Sequence, residues 1–429
     1  MNILITHGYS DSNKGDLAIT LACYEYVRSK YPNAKITLHS TFRNKNKAEF
    51  QYHNRFMSNY NIEIKQGILP TPYSSDDKSV FYDLLAVYRL LKETIQLKLT
   101  LFVPLLGKLL GGKQYKAVQD VKSADLILIK GGQFIYNEEE DLRGNLFLWR
   151  TLQPIKTAFQ LNKKVIIFGQ SFGGFASEKS EKVAAKYLNY CSRIYAREKV
   201  SYAFLEKHNL AHKAETIPDL AFYLKKKVNN TPSVSLPSNE KYMGVTMVNW
   251  HFPESKNPKQ AKINYIKSIV SACIHAKQNH GLSPLFIPQV TVRHHGKSDN
   301  DIIHETIALL KQQNIVSHFY EKDLSVFEMM DLYKGCEFLI GTRLHSCILA
   351  ANVATPILPI RYQGFKTQGI VKELNQENLL LDIHNLSEKE LIDNIDNIMN
   401  NKKNIKEQLE KRTTSFIHEF DEIDFDTIK

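Results

Sequence analysis

The sequence predicts an α/β protein made of two Rossmann-like domains. Three observations lead there. Apolar runs of strand length alternate with amphipathic stretches of helix length along most of the chain. The strand-like runs repeatedly end in glycine or polar residues. At 429 residues the chain is also longer than one hydrophobic core ordinarily serves.

Asn2–His7 reads as the first strand, followed by the loop Gly8–Asp16 and a helix from about Leu17 to Lys30. Strand, glycine-containing loop and helix open a Rossmann-like unit, although the GxGxxG fingerprint is absent. Asp16 fits a helix cap. Lys35–Ser40 is the second strand. Two readings stand for the apolar stretch Leu84–Leu106, interspersed with Lys92 and Lys98 and followed by Lys108 and Lys113. It is a core helical hairpin inserted at about 70–120, or a basic amphipathic surface that dips into a lipid headgroup region.

Asp125–Lys130 reads as a buried strand ending in Gly131-Gly132-Gln133-Phe134, followed by a helix from about Leu146 to Gln160. Lys164–Phe168 ends in Gly169-Gln170-Ser171-Phe172, and Arg193–Ala196 ends in Arg197-Glu198-Lys199 before a helix from Val200 to His208. Pro218-Asp219 closes this half. Polar strand ends of this kind suit the rim of a shared cleft. From Val228 to Asn239 the composition shifts to Asn, Thr, Pro, Ser and Leu, which reads as a linker. A second alternating set follows at Tyr242–Val248, Leu285–Pro288, Ser317–Tyr320, Glu337–Ile340, Pro356–Ile360 and Leu379–Leu381. The expected division is a domain over 1–227, a linker over 228–239, a second domain over 240–400 and a polar helical tail over 401–429. Two such domains facing across a cleft would be GT-B-like.

Composition narrows the function classes. Hydrophobic content of 43% and charged content of 24% are those of a soluble globular protein. No apolar run reaches the roughly 18 residues of a membrane span. The start Met1–Ile5 runs straight into a strand without a signal peptide's basic region and cleavage site. Cys23, Cys191, Cys273, Cys336 and Cys347 are scattered, an arrangement expected of reduced thiols in the cytoplasm. The net charge of +11 suits an anionic substrate or lipid, and its even spread gives no nucleic-acid footprint.

The stretch Gly341-Thr342-Arg343-Leu344-His345-Ser346, between an apolar strand and a short buried helix, is an anion-binding arrangement. The helix opening supplies N–H groups, a guanidinium grips an anion with two bonds, and an imidazole moves protons near neutral pH. Alone, the motif would be read as an arginine capping a neighbouring loop beside a packed histidine. His7 and His251 are cleft residues or ordinary packing. His294-His295 with Asp299 and Asp301 matches no defined metal spacing and reads as a solvated loop.

Taken in order, Asn13-Lys14-Gly15-Asp16, Gly131-Gly132, Gly169-Gln170-Ser171, Ala196-Arg197-Glu198-Lys199-Val200-Ser201, Pro218-Asp219 and Gly341–His345 resemble the polysaccharide pyruvyl transferase family over roughly residues 1–380. Tyr362 and Lys366 resemble its Tyr-and-Lys element, one residue further apart than usual. Gln133 stands where a third glycine is usual, and Gly174 where a proline is.

The resemblance implies transfer of pyruvate from phosphoenolpyruvate to two hydroxyls of a sugar, giving a cyclic ketal. It implies His345 as acid and base, and Arg343, Arg197, Leu344 and Lys366 at the donor. Asn13, Lys14, Asp16, Gly131, Gly132, Gln133, Gln170, Ser171 and Asp219 are the candidates for the cleft and the acceptor. The expected donor side is the C-terminal domain. No cofactor beyond phosphoenolpyruvate and no metal is expected. The partner is a glycan or lipid-linked oligosaccharide, met from the cytoplasm by peripheral contact with the membrane, and nucleic acid is not a partner. Two alternatives stand beside this. One is a nucleotide-sugar glycosyltransferase, weakened by the lack of a ribose-binding acidic residue after the Arg343 helix. The other is a non-catalytic assembly protein, weakened by the intact Arg/His set.

Overall fold

The computed structural model describes residues 1–44, 46–72, 80–228, 233–237, 240–292 and 298–426. His294, His295 and part of the expected linker lie outside the described residues. Contacts divide the chain into two units: Met1–Asp11, Ile19–Leu220 and Glu422–Lys429 in the first, Ser12–Ala18 and Ala221–Asp421 in the second.

The first unit carries β1 (Asn2–Gly8), β2 (Lys35–Ser40), β3 (Glu63–Gln66), β4 (Leu126–Asn137), β5 (Val165–Phe175), β6 (Arg193–Ala196) and β7 (Ala214–Thr216). They form one parallel sheet in the order β3-β2-β1-β4-β5-β6-β7. Leu126–Ile129 and Val165–Phe168 are buried at every position, as strands covered on both faces by helices must be. The short polar edge strands β3 and β7 carry too little apolar periodicity to be read from sequence.

Gly131-Gly132 and Gly169, expected at strand ends, lie inside β4 and β5. Both strands run on through them, with register shifts at Gly132 and Ile135. Gly132 has φ 136° and Gly169 φ 77°, which only glycine adopts readily, and a Cβ on Gly131 would lie 2.9 Å from the Gly169 carbonyl carbon. These glycines let two backbones pass at close quarters and carry the ladder through a bulge.

The second unit holds β8 (Lys241–Thr246), β9 (Leu282–Phe286), β10 (His318–Phe319), β11 (Cys336–Gly341), β12 (Ile357–Arg361) and β13 (Leu381–Asp382). Their order, β10-β9-β8-β11-β12-β13, is again parallel throughout and reverses between β8 and β11. In such sheets that reversal, at the carboxyl ends of the strands, opens a crevice for ligands.

The unit boundaries differ from the expected ones in three places. The second unit starts at Ala221, before the expected linker. Ser12–Ala18 belongs to it as well: Asn13 bridges Val290, the Lys14 N–H donates to Gln289 O at 3.0 Å, and the Thr291 N–H donates to Ser12 O at 2.9 Å. Lastly, Glu388–Asp421 is one continuous helix without a break at 400, held by a buried stripe that includes Leu391, Ile395, Ile398, Leu409 and Phe416. The chain beyond it returns to the first unit, where Tyr26 Oη donates to Ile423 O at 2.7 Å and Phe425 packs on Phe168 at 5.1 Å between ring centres.

From residue 80 the expected insertion folds as helices Val80–Phe102, Pro104–Leu110 and Gly112–Ser123. Ala86, Leu90 and Leu97 are buried, and buried Glu93 accepts both Arg43 Nη1 and Arg43 Nη2. The core-hairpin reading therefore holds for one face, while the opposite face stays exposed. Among the described residues no helix is long and apolar enough to cross a membrane. All five cysteines are buried and free.

Candidate functional site

In the second unit β11 ends at Gly341 and the helix Leu344–Asn352 begins after two intervening residues, with Arg343 extended at its N-cap position (φ −95°, ψ 118°). The sequence dictates this local path. Leu344–Asn352 is buried along nearly its whole length, so the helix is pinned by packing, and no side chain caps its amides. Ser346 Oγ donates to Arg343 O at 2.6 Å and shares a 2.7 Å hydrogen bond with Thr246 Oγ1 at the end of β8. Tyr265 Oη binds Thr342 Oγ1 at 2.8 Å. The turn that carries Arg343 and His345 is thereby locked to two neighbouring elements.

Arg343 is held as a fork. Its Nη2 donates to Asp299 Oδ1 at 2.5 Å, its Nε to Asp299 Oδ2 at 3.3 Å, and its Nη1 to Tyr362 Oη at 3.3 Å. Asp299 has no exposed surface and also accepts the N–H groups of Gln289 (3.1 Å) and Val290 (2.9 Å). Burial raises the Asp299 carboxyl above its ordinary range, against the pull of Arg343 and the two amides. For Arg343 the order reverses: burial disfavours its charge, but Asp299 and Tyr362 outweigh that and push its pKa up. Tyr362 is lowered on balance, because Arg343 and Lys366 overcome the effect of burial. Lys366 opens the helix Lys366–Glu373 and stands half-buried.

Asp299 is the residue that sequence reasoning missed. It does not sit on a solvated loop. It opens the helix Asp299–Gln312, capped by Ser298, and the readable signal was the Ser-Asp start of that helix.

His345 is half-buried in the first turn of its helix, and the segment from Ser12 lies against it. A Cβ on Gly15 would lie 2.8 Å from His345 Cγ, so only glycine leaves room for the imidazole. Asn13, rather than Asp16, takes the capping role: its Oδ1 accepts the Asp16 N–H at 3.4 Å, and its Nδ2 donates to Asp16 Oδ2 at 2.8 Å. Lys14 is almost wholly buried and pairs with Asp323 at 2.7 Å. Asn13, Lys14 and Asp16, expected on the acceptor side with the N-terminal domain, thus belong to the same unit as His345 and Arg343. Leu344 is buried packing beneath the turn. Trp250 meets Tyr362 edge-on at 5.1 Å, and exposed His251 lies over Trp250 at 4.6 Å.

The other expected residues form a separate buried network in the first unit. Arg197 Nη1 donates to Asp219 Oδ2 at 2.7 Å and Nε to Ser171 Oγ at 2.6 Å, while Ser171 donates to Glu198 Oε2 at 3.0 Å. Ser201 donates to Glu198 as well, and accepts the Phe172 N–H at 2.7 Å. Arg197 is only 1% exposed. Held in this way, with two carboxylates beside it, the guanidinium ties β5 to the chain after β6. Arg197, expected at the donor, and Ser171 and Asp219, expected at the cleft, are thus brought together in one network of the first unit. Gln170 is fully buried, its Nε2 bonded to Ser171 O at 3.1 Å, and Gln133 is half-buried on β4. His7 is packing: its ring stacks on Phe134 at 4.4 Å, Nε2 donates to Thr151 O at 2.9 Å, and burial pushes its pKa down to about 3.

One group of three potential metal ligands occurs among the described residues, His275, His280 and Asp396. Both imidazoles direct Nε2 at the same Asp396 oxygen, at 2.7 and 2.6 Å. This ties the helix Pro258–His280 to the helix Glu388–Asp421 and lowers the Asp396 pKa.

Known proteins resemble this chain in family and in fold. The family profile of polysaccharide pyruvyl transferase matches residues 13–364. The amylovoran biosynthesis protein AmsJ of Erwinia amylovora is 25% identical over 297 residues, covering 67% of this chain and 69% of AmsJ. Among solved structures, MnaA of S. aureus, determined with UDP, superposes with a TM-score of 0.56 at 11% identity, over 98% of this chain and 94% of MnaA. The UDP-GlcNAc 2-epimerase of Neisseria meningitidis superposes with a TM-score of 0.52 at 10% identity, over 99% of this chain and 100% of the epimerase. At these identities the structural likeness establishes the two-Rossmann, GT-B-like fold and nothing about chemistry.

Proposed function

This chain belongs to the polysaccharide pyruvyl transferase family, a family of transferases in polysaccharide biosynthesis, and on that premise we propose that it moves pyruvate from phosphoenolpyruvate onto a sugar of a surface polysaccharide or its lipid-linked precursor. The observation that carries the reading is the pairing of a rigidly forked Arg343 with His345 in one uncapped helix turn. The donor's carboxylate and phosphate need preorganised cations, which Arg343 and Lys366 supply beside the helix amides. In this reading His345, protonated, gives its proton to the enol CH₂ carbon of the donor. A sugar hydroxyl attacks the adjacent carbon, its proton returns to His345, and the ester C–O bond breaks to release phosphate. The second hydroxyl closes on the same carbon, its proton leaving with the phosphate, and a pyruvate ketal remains. No cofactor beyond the donor takes part in these steps, and the cytoplasm, where phosphoenolpyruvate is available, is the proposed place of action.

The test is phosphate release from phosphoenolpyruvate in the presence of candidate glycans. Release that depends on acceptor, with a ketal in the product, is the expected result. His345→Ala and His345→Gln should each lower turnover by about 10²–10⁴-fold with donor binding retained. Absence of release with every acceptor, together with turnover of a nucleotide sugar, would replace this reading by glycosyl transfer.

A further inference from the structure

We propose that the helical hairpin at 84–110 is a docking face for an anionic lipid surface. The helix Val80–Phe102 carries two apolar stripes on opposite sides. Ala86, Leu90 and Leu97 face the core, whereas Leu84, Val87, Tyr88, Leu91, Ile95 and Phe102 recur at helical spacing on the other side and are all exposed. The exposed stripe runs on through Val103 into the helix Pro104–Leu110, where Leu105 is 75% and Leu109 73% exposed. This is the greatest concentration of exposed large apolar side chains among the described residues, far from the scattered single ones that any surface carries. Gly107 fixes the bend: a Cβ there would lie 3.0 Å from Thr100 N, so the short helix is seated on the long one and its leucines are held outward.

Charge selects the occupant. Between Leu84 and Lys116 the only acidic residue is Glu93, buried against Arg43. Lys92, Lys98, Lys108 and Lys116 are exposed, and Lys98 lies within the apolar stripe itself. Lys113, by contrast, is turned to Asn44, donating to its O. A second copy of the chain would set these lysines against their own equivalents with no carboxylate to offset them. An anionic leaflet offers both what the leucines need and what the lysines need, an acyl boundary beneath a layer of negative charge.

Flotation of the full-length protein with vesicles tests this. Binding is expected on phosphatidylcholine vesicles containing phosphatidylglycerol at low salt, weaker at high salt, and far weaker on phosphatidylcholine alone. The triple change Lys92→Glu, Lys98→Glu, Lys108→Glu should weaken partition by roughly 100-fold, about fivefold for each lysine removed. Leu91→Gln, Leu105→Gln, Leu109→Gln should abolish the binding that survives at high salt. These side chains are exposed, so thermal unfolding should be unchanged and serves as the folding control. No flotation at low salt, flotation indifferent to either triple change, or equal binding to neutral vesicles would overturn the proposal. So would light scattering showing a dimer that the leucine changes dissociate. None of these outcomes depends on the transfer reaction.

Discussion

The carboxylate of Asp299, without exposed surface, holds the Arg343 guanidinium through Oδ1 at 2.5 Å and is itself fixed by the N–H groups of Gln289 and Val290. The direction of Arg343 is thus set by the loop after β9 as well as by its own helix. Asp299→Asn should keep the backbone bonds but lose the charged fork, weakening phosphoenolpyruvate affinity by about 10-fold or more while leaving acceptor affinity unchanged. Arg343→Lys should fail to restore it, because a point charge cannot replace the planar group. Donor titration by calorimetry checks both.

Gly15 lies in the first turn of the helix Lys14–Lys30, where alanine ordinarily favours the helix over glycine. Here an added methyl would meet the His345 ring, its Cβ 2.8 Å from Cγ. Gly15→Ala should therefore leave the unfolding temperature nearly unchanged and reduce turnover by about 10²-fold, the scale expected for misplacing a catalytic group by about 1 Å. Steady-state kinetics beside a thermal melt separate the two effects.

Arg197→Ala leaves Asp219 and Glu198 buried without their cation. A loss of about 3–5 kcal/mol in unfolding free energy is expected, since an uncompensated charge remains in the interior. Donor affinity of the folded fraction should change little. Urea unfolding and donor binding, measured on the same preparation, distinguish this role from donor contact.

His7 has its pKa pushed from the ordinary 6.5 down to about 3, chiefly by burial. The unfolded chain binds this proton more readily, so stability is full above about pH 6.5 and falls as pH drops toward 3. Complete protonation would cost on the order of 4–5 kcal/mol. Replacing His7 by Gln should flatten the acid limb of a stability-against-pH curve between pH 6 and 3. An unchanged acid limb would place the sensitivity elsewhere.

The parallel α/β class is legible along the chain, because strands buried on both faces are written as unbroken apolar runs such as Leu126–Ile129 and Phe338–Ile340. So is the turn at Arg343 and His345, since a strand, a glycine and a short apolar helix are all local. Three things were decided only by the tertiary structure. Asp299 and Arg343 are 44 residues apart in the chain, and their pairing depends on which strand ends become neighbours. Ser12–Ala18 joins the second unit through backbone bonds to Gln289–Thr291, and backbone pairing across the chain leaves no mark on residue type. Arg197 is the third: Asp219, Ser171 and Glu198 gather about its guanidinium from separate stretches, and burial of a charge is a property of packing, which no single stretch of sequence encodes.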